Sequence, residues 1–127
     1  MRLLLDTHVL LWWLADDASL GIKTREIIAD GRNEVYVSAA TTWEISIKKT
    51  VGKLQAPDNI ESVVEDERFF KLPISLYHGE IAGLLPLLHR DPFDRMLVAQ
   101  AQAEGLTIIT ADDDIGKYGV KTLGATQ

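Results

Sequence analysis

Short apolar runs at residues 2–5, Val35–Ser38 and Thr107–Thr110 alternate with longer segments whose apolar residues recur every three or four positions. Strand-length runs separated by helical periods point to a parallel sheet, because a parallel pair needs a crossover that carries the chain back to the same edge. Strands in such a sheet are buried on both faces and are therefore apolar throughout rather than alternating. The expected fold class is α/β, a three-layer α/β/α arrangement with a central parallel sheet.

Helices are predicted over Thr7–Ala15, Ser19–Asp30, Ala39–Thr50, Ile60–Phe70, Tyr77–Leu88 and Phe93–Glu104. Ser19 is expected to cap the second and Gly31 to mark its end, while Asn59 or Asp58 is expected to cap the fourth. In the third, Trp43, Ile47 and Val51 stand in four-residue steps, which places Trp43 in the core, and Gly52 supplies a stop. Pro86 should disturb the last turn of the fifth. Leu97, Val98 and Ala101 should face inward from the sixth, which Gly105 ends. Lys71–Ile74 reads as a third strand, weakened by Pro73, and Val120–Leu123 as an edge strand. No repeat, low-complexity tract or linker divides the 127 residues, so one domain is expected.

Hydrophobic residues at 46% and charged residues at 25% exclude disordered and fibrous classes. The absence of cysteine excludes disulfides, thiolate metal sites and a cysteine nucleophile, and it fits a cytoplasmic location. Met1–Leu5 imitates the start of a signal peptide, but Asp6 and His8 break the apolar run, so the N-terminus is expected to be that of the mature protein. The apolar run Val9–Ala15 is far short of the roughly 20 residues that span a bilayer, and no membrane segment is expected. A net charge of −6 argues against binding nucleic acid through the protein's own positive field. That objection weakens where the acids hold divalent cations that face the phosphates, and the same balance suits a basic protein partner.

Ligands of an open parallel sheet bind outside the carboxyl ends of its strands. Asp6 directly follows the first strand there, and Asp112 lies two residues beyond the Thr107–Thr110 strand. Glu44 sits in the first turns of the helix entered from Val35–Ser38, which brings it to the same rim. Asp94 opens a helix that leaves a connector, so connectivity alone does not place it. Four converging carboxylates resist ionising together unless cations lie between them. Oxygen ligation without sulfur selects hard ions, Mg²⁺ or Mn²⁺, whose chemistry suits phosphodiester hydrolysis.

Each acid also has a plainer reading. Asp91 is a good N-cap, with Pro92 at the first helical position and Asp94 in the dipole-favoured first turn. Asp112 and Thr110 would cap the following turn, and Asp113 and Asp114 would be solvated. Glu44 precedes Lys48 by four residues, the favourable order for a helical ion pair; Lys48 would otherwise meet a substrate phosphate. Asp6 has the weakest alternative, since a carboxylate after a buried strand carries a desolvation cost. His8 and His89 read as structural hydrogen-bonding residues. Trp12, Trp13 and Trp43 are candidates for stacking on bases. Adjacent Trp12 and Trp13 are not expected to share one interior, which leaves one for an interface.

Leu3-Leu4-Leu5-Asp6-Thr7-His8, Ser38-Ala39-Ala40-Thr41-Thr42-Trp43-Glu44-Ile45, His89-Arg90-Asp91-Pro92-Phe93-Asp94-Arg95 and Thr110-Ala111-Asp112 closely resemble, in order and spacing, successive motifs of PIN-domain VapC toxins. The resemblance covers nearly the whole chain. It implies an α/β/α sandwich, a homodimer, Mg²⁺-dependent cleavage of RNA and inhibition by a cognate antitoxin. It places Asp6, Glu44, Asp94 and Asp112 on the family's acidic positions, with Asp91 auxiliary.

A phosphoacceptor domain of receiver type would need a basic residue where Asp112-Asp113-Asp114 follow the fourth strand. A phosphatase with an aspartyl nucleophile would need an acid where His8 stands. A non-catalytic module in which the acids merely hold a structural cation is the remaining rival.

Overall fold

Strand β1 (Arg2–Leu5) runs through the middle of a five-stranded sheet, where Leu3, Leu4 and Leu5 have no solvent exposure. The computed structural model describes all residues from 1 to 127. On one side of β1 lie β2 (Glu34–Ser38) and then β3 (Phe70–Leu72); on the other lie β4 (Thr107–Thr110) and then β5 (Thr122–Gly124). Every pairing is parallel, with Leu4 opposite both Tyr36 and Ile108. The class read from the sequence is therefore the one observed.

Side chains alternate across a strand, so each strand feeds two separate cores. Leu3, Leu5, Val35, Val37 and Ile109 join one apolar cluster, and Leu4 and Ile108 join the other. Helices α1 (Thr7–Ala15), α2 (Ile22–Ala29) and α4 (Ile60–Asp66) cover the first face through Val9, Leu10, Ile28, Ile60 and Val64. The second is covered by α6 (Pro92–Glu104) and α7 (Asp113–Gly116) through Leu97, Val98, Ala101 and Ile115. Between them, α3 (Ala39–Thr50) gives Ile45 to one cluster and Ala40 to the other. Helix α5 (Leu76–Leu84) packs on α6. Each wholly buried leucine or isoleucine contributes about 1.5–3 kcal/mol relative to exposure, so β1 anchors both layers at once.

The order β3-β2-β1-β4-β5 has one consequence for function. The chain leaves β1 toward β2 on one side and later returns to β4 on the other, so the crevice between the carboxyl ends of β1 and β4 is a topological switch point.

Several local expectations are corrected. Helix α2 starts at Ile22, not Ser19: Asp17 accepts the Ser19 N–H at 2.8 Å, and Arg25 donates to the Leu20 and Asp17 carbonyls, which holds residues 17–20 as a turn. Its end is the extended residue Asp30 rather than Gly31. Helix α4 stops at Asp66, because Arg68 adopts φ 61° and turns the chain so that Phe70 can pair with Tyr36. Asn59 precedes α4 with φ 56° and makes no side-chain cap. Strand β3 therefore spans Phe70–Leu72 instead of Lys71–Ile74, ending just before Pro73, which has no N–H to offer a ladder. Ser75 starts α5 through a capping box with His78, and Leu85 is extended ahead of Pro86 as the residue before proline must be. Strand β5 lies two residues later than expected at its start, with its register to β4 running from Thr122 to Gly124.

Trp43 is not in the core; it is 61% exposed. The face of α3 that meets the sheet carries Ala40, Thr41, Glu44 and Ile45, which turns Trp43, Ile47 and Val51 outward. Trp43 instead meets Phe93 edge-on at 5.2 Å. Trp12 and Trp13 are both half-buried against the same apolar cluster, correcting the expectation that they must part. Trp13 lies by Phe69 and donates to Glu67, while Trp12 lies by His8.

Gly21 is required where it stands. A Cβ there would lie 2.0 Å from the carbonyl carbon of Gln127, whose segment also binds Gly21 and Lys23 through the backbone. Gly21→Ala should therefore displace the C-terminal residues, seen as a fall in Tm of several degrees and faster proteolysis after residue 120.

Candidate active site

Asp6 ends β1 and caps α1, its Oδ1 accepting the Val9 N–H at 2.9 Å while Oδ2 accepts the hydroxyl of Thr110 from the end of β4. Two strand ends are thus tied together at the switch point. Asp6 is 6% exposed, and burial pushes its pKa upward against these hydrogen bonds. Glu44, 4% exposed, accepts the Thr7 hydroxyl at 2.6 Å and pairs with Lys48 one turn along α3. The helical ion pair weighed for Glu44 therefore exists alongside its place in the site.

Asp91 caps α6, accepting from the N–H groups of Phe93 and Asp94 at 2.8 and 3.1 Å. That cap turns the first α6 turn toward β1, where Asp94 lines one cavity of about 230 Å³ with Asp6, Glu44, Lys48, Asp91 and Asp112. Asp112 caps α7 through Oδ1, and Thr110 accepts the Asp112 N–H. All four acids selected from the sequence are brought together, including Asp94, which connectivity could not place. Asp113 is exposed, and Asp114 pairs with Lys117 at 2.6 Å.

Like Asp6, Asp94 is pushed toward its neutral form. Burial first, and then the neighbouring carboxylate of Asp91, raise the Asp94 pKa to about 7. Asp94 also has an oxygen, Oδ1, with no partner of its own, whereas both oxygens of Asp6, Glu44 and Asp112 are engaged. A donor set dominated by carboxylate oxygens, in which Asp6 and Asp94 resist ionising and Asp91 and Asp94 each keep an oxygen without a protein partner, fits a hard divalent cation.

The PIN domain family pattern matches residues 3–121. The chain belongs to the PIN-domain family. Among relatives, Ribonuclease VapC16 of Mycobacterium tuberculosis is 40% identical over 62 residues, a stretch covering 47% of this chain and 44% of that protein, less than half of its length. DNA-bound VapBC from Salmonella typhimurium superposes with a TM-score of 0.70 at 19% identity, over 97% of each chain. VapBC-1 from nontypeable Haemophilus influenzae does so with a TM-score of 0.68 at 19% identity, over 100% of each chain. At these identities the structural likeness is one of fold.

The site of this PIN domain holds residues that sequence reading passed over. His89, read as structural, places Nε2 3.0 Å from Asp94 Oδ2 and 2.9 Å from Asp112 Oδ2. Its Nδ1 accepts the Asp91 N–H at 3.3 Å, which leaves the proton on Nε2 for the carboxylates. Burial opposes its charged form, but the hydrogen bond to Asp112 and the charges of Asp94, Asp112 and Asp91 hold its pKa above the usual 6.5. His89, Asp112 and Asp114 also group ligand atoms within 4.8 Å of one another. Thr7 and Thr110 were legible only as strand-end and cap residues, because their roles depend on contacts 37 and 104 positions away. No helix of this PIN domain is long and apolar enough to cross a membrane.

Proposed function

We propose that this chain is a metal-dependent ribonuclease that acts as the toxin of a VapBC-type pair. The observation that carries the proposal is the single cavity lined by Asp6, Glu44, Asp94 and Asp112 at the switch point of a PIN-domain sheet. These acids would hold Mg²⁺ or Mn²⁺. The ion supplies charge neutralisation at the phosphate and a nucleophile from water at neutral pH.

The chain's own residues set the stage for in-line attack at phosphorus. Thr110 and the Val9 N–H keep the Asp6 carboxylate turned into the cavity, and Thr7 does the same for Glu44. His89 holds Asp94 and Asp112 side by side through one ring nitrogen. Lys48 lines the same cavity, so its ammonium is within reach of a phosphate oxygen once substrate competes for Glu44. The negative charge of −6 leaves cations and these few basic groups, rather than a broad positive field, to hold RNA.

The toxin role and its partners rest on the likeness to VapBC complexes and to Ribonuclease VapC16. Leu76, Leu84 and Leu87, at 92%, 86% and 83% exposure, supply apolar surface of the kind a homodimer or an antitoxin covers.

Purified protein should cleave RNA only with Mg²⁺ or Mn²⁺, lose activity on chelation and regain it when either ion is restored. Cleavage persisting after exhaustive chelation would contradict the proposal. Asp6→Asn separates this reading from that of a non-catalytic module: a nuclease loses activity and toxicity together, while a module keeps its partner affinity.

A further inference from the structure

Beside the acidic cavity lies a second, more open one of about 630 Å³, and the two share Asp6, His8 and Asp112. Helix α1 lines it with His8 and Trp12, four residues apart and so on one helical face. Their rings stand 6.3 Å apart at a tilt of 38°. From the other element, the first turn of α7, come Asp113 and Asp114. Trp12 is half-buried and His8 exposed, so one ring is held in place by the core while the other is open to a ligand.

We infer that this cavity is a nucleobase subsite that receives the base of a nucleotide adjoining the scissile phosphate. The inference deepens the ribonuclease reading and rests on it. Single-stranded RNA is recognised chiefly through splayed bases stacked on aromatic side chains and hydrogen-bonded along their edges. Trp12 and His8 provide the stacking faces. The acids opposite repel phosphate, so the part of RNA that enters is the uncharged base rather than the backbone.

Ionised carboxylates only accept hydrogen bonds. Asp114 is engaged by Lys117, whereas Asp113 is exposed and its carboxylate is in no ion pair, so Asp113 is the acceptor available to a base edge. Exocyclic amino groups of adenine, cytosine or guanine satisfy it. Uracil offers only its single N3–H, flanked by two carbonyl oxygens that a carboxylate repels, and is disfavoured. The subsite thus selects amino-bearing bases at one position next to the cut.

The test is competitive cleavage, in Mn²⁺, of a short single-stranded RNA pool randomised on both sides of the scissile phosphate. Wild-type protein should discriminate against uracil at one of those positions. Trp12→Ala should raise KM roughly ten-fold and flatten that preference, in line with the loss of one stacked base, while Trp12→Phe retains it. Mn²⁺ affinity by calorimetry should match the wild type in both, showing that the acidic site is intact. Because Trp12 also packs on the core, His8→Ala and Asp113→Asn provide surface tests: the first should weaken KM, and the second should relax discrimination against uracil. Wild-type KM and base preference in all of these variants would overturn the subsite and leave the nuclease reading standing. RNA left uncut by wild-type protein in both Mn²⁺ and Mg²⁺ would overturn the nuclease reading, and the subsite with it. An unchanged RNA profile accompanied by weakened binding of a basic peptide would assign the cavity to a protein partner instead.

Discussion

Asp94→Asn is expected to abolish RNA cleavage and, in metal-free buffer, to stabilise the protein. The first effect follows from removing, of Asp6, Glu44, Asp94 and Asp112, the one acid that keeps an unengaged oxygen for a cation. Loss of several kcal/mol of transition-state charge stabilisation corresponds to a rate reduction on the order of a thousand-fold or more. The second follows from linkage. The Asp94 carboxyl titrates near 3.8 when unfolded and at about 7 in the folded protein. Between those values the folded state retains a proton that the unfolded state has released, so stability falls as pH rises through that window and stays lower above it. Asparagine keeps the shape and the acceptor facing His89 but carries no charge to desolvate. At pH 8 without metal the variant should therefore be more stable by on the order of 2–4 kcal/mol, whereas at pH 4 the two proteins should unfold alike. Adding Mn²⁺ should raise the Tm of the wild type far more than that of the variant. Denaturant titrations at the two pH values decide the matter, and a variant less stable than the wild type at pH 8 would sink the account.

Arg95→Ala is expected to damage fold and site together. The Arg95 guanidinium donates to the carbonyls of Ala82, Leu85 and Pro86 at 3.0 Å and also reaches the His89 carbonyl and the Tyr118 hydroxyl. Tyr118 in turn accepts the His89 N–H at 2.9 Å and donates to Pro86. This pair therefore fixes the path of residues 85–89, and with it the imidazole that holds Asp94 and Asp112. Hydrogen bonds to a charged group contribute about 1.5–3 kcal/mol, and stranding several carbonyls at once should lower Tm by roughly 10 °C. Misplacing His89 should also weaken Mn²⁺ binding by about 10–100-fold, as loss of groups that orient metal ligands does. Arg95→Lys should recover little, because one ammonium cannot span carbonyls that the planar fork serves together. A Tm within about 2 °C of the wild type, with unchanged Mn²⁺ affinity, would show that the loop is held by other contacts.

Much of this was legible in the chain. Apolar runs that stop at Asp6 and Ser38, or just short of Asp112, and alternate with helical segments already point to a buried parallel sheet with acids at its carboxyl edge, since crossover helices bury such strands on both faces. Asp91, Pro92 and Gly105 bound α6 as local capping chemistry demands. Local rules failed where a neighbour remote in sequence decided the outcome, as at Ser19, which Asp17 and Arg25 hold in a turn, and at Phe70, which pairing with Tyr36 draws from helix into strand.

Residue order alone therefore determined the α/β class, the sheet's apolar strands and the chemical type of the site. Only the tertiary structure decided that Glu44 turns inward while Trp43 turns out, that Asp94 reaches Asp6, and that His89 joins them. Periodicity tells which residues of a helix share a face, but which face meets the sheet is set by packing against elements distant in the chain. The path of a connector such as residues 85–91 is set in the same way, by the carbonyls that Arg95 gathers.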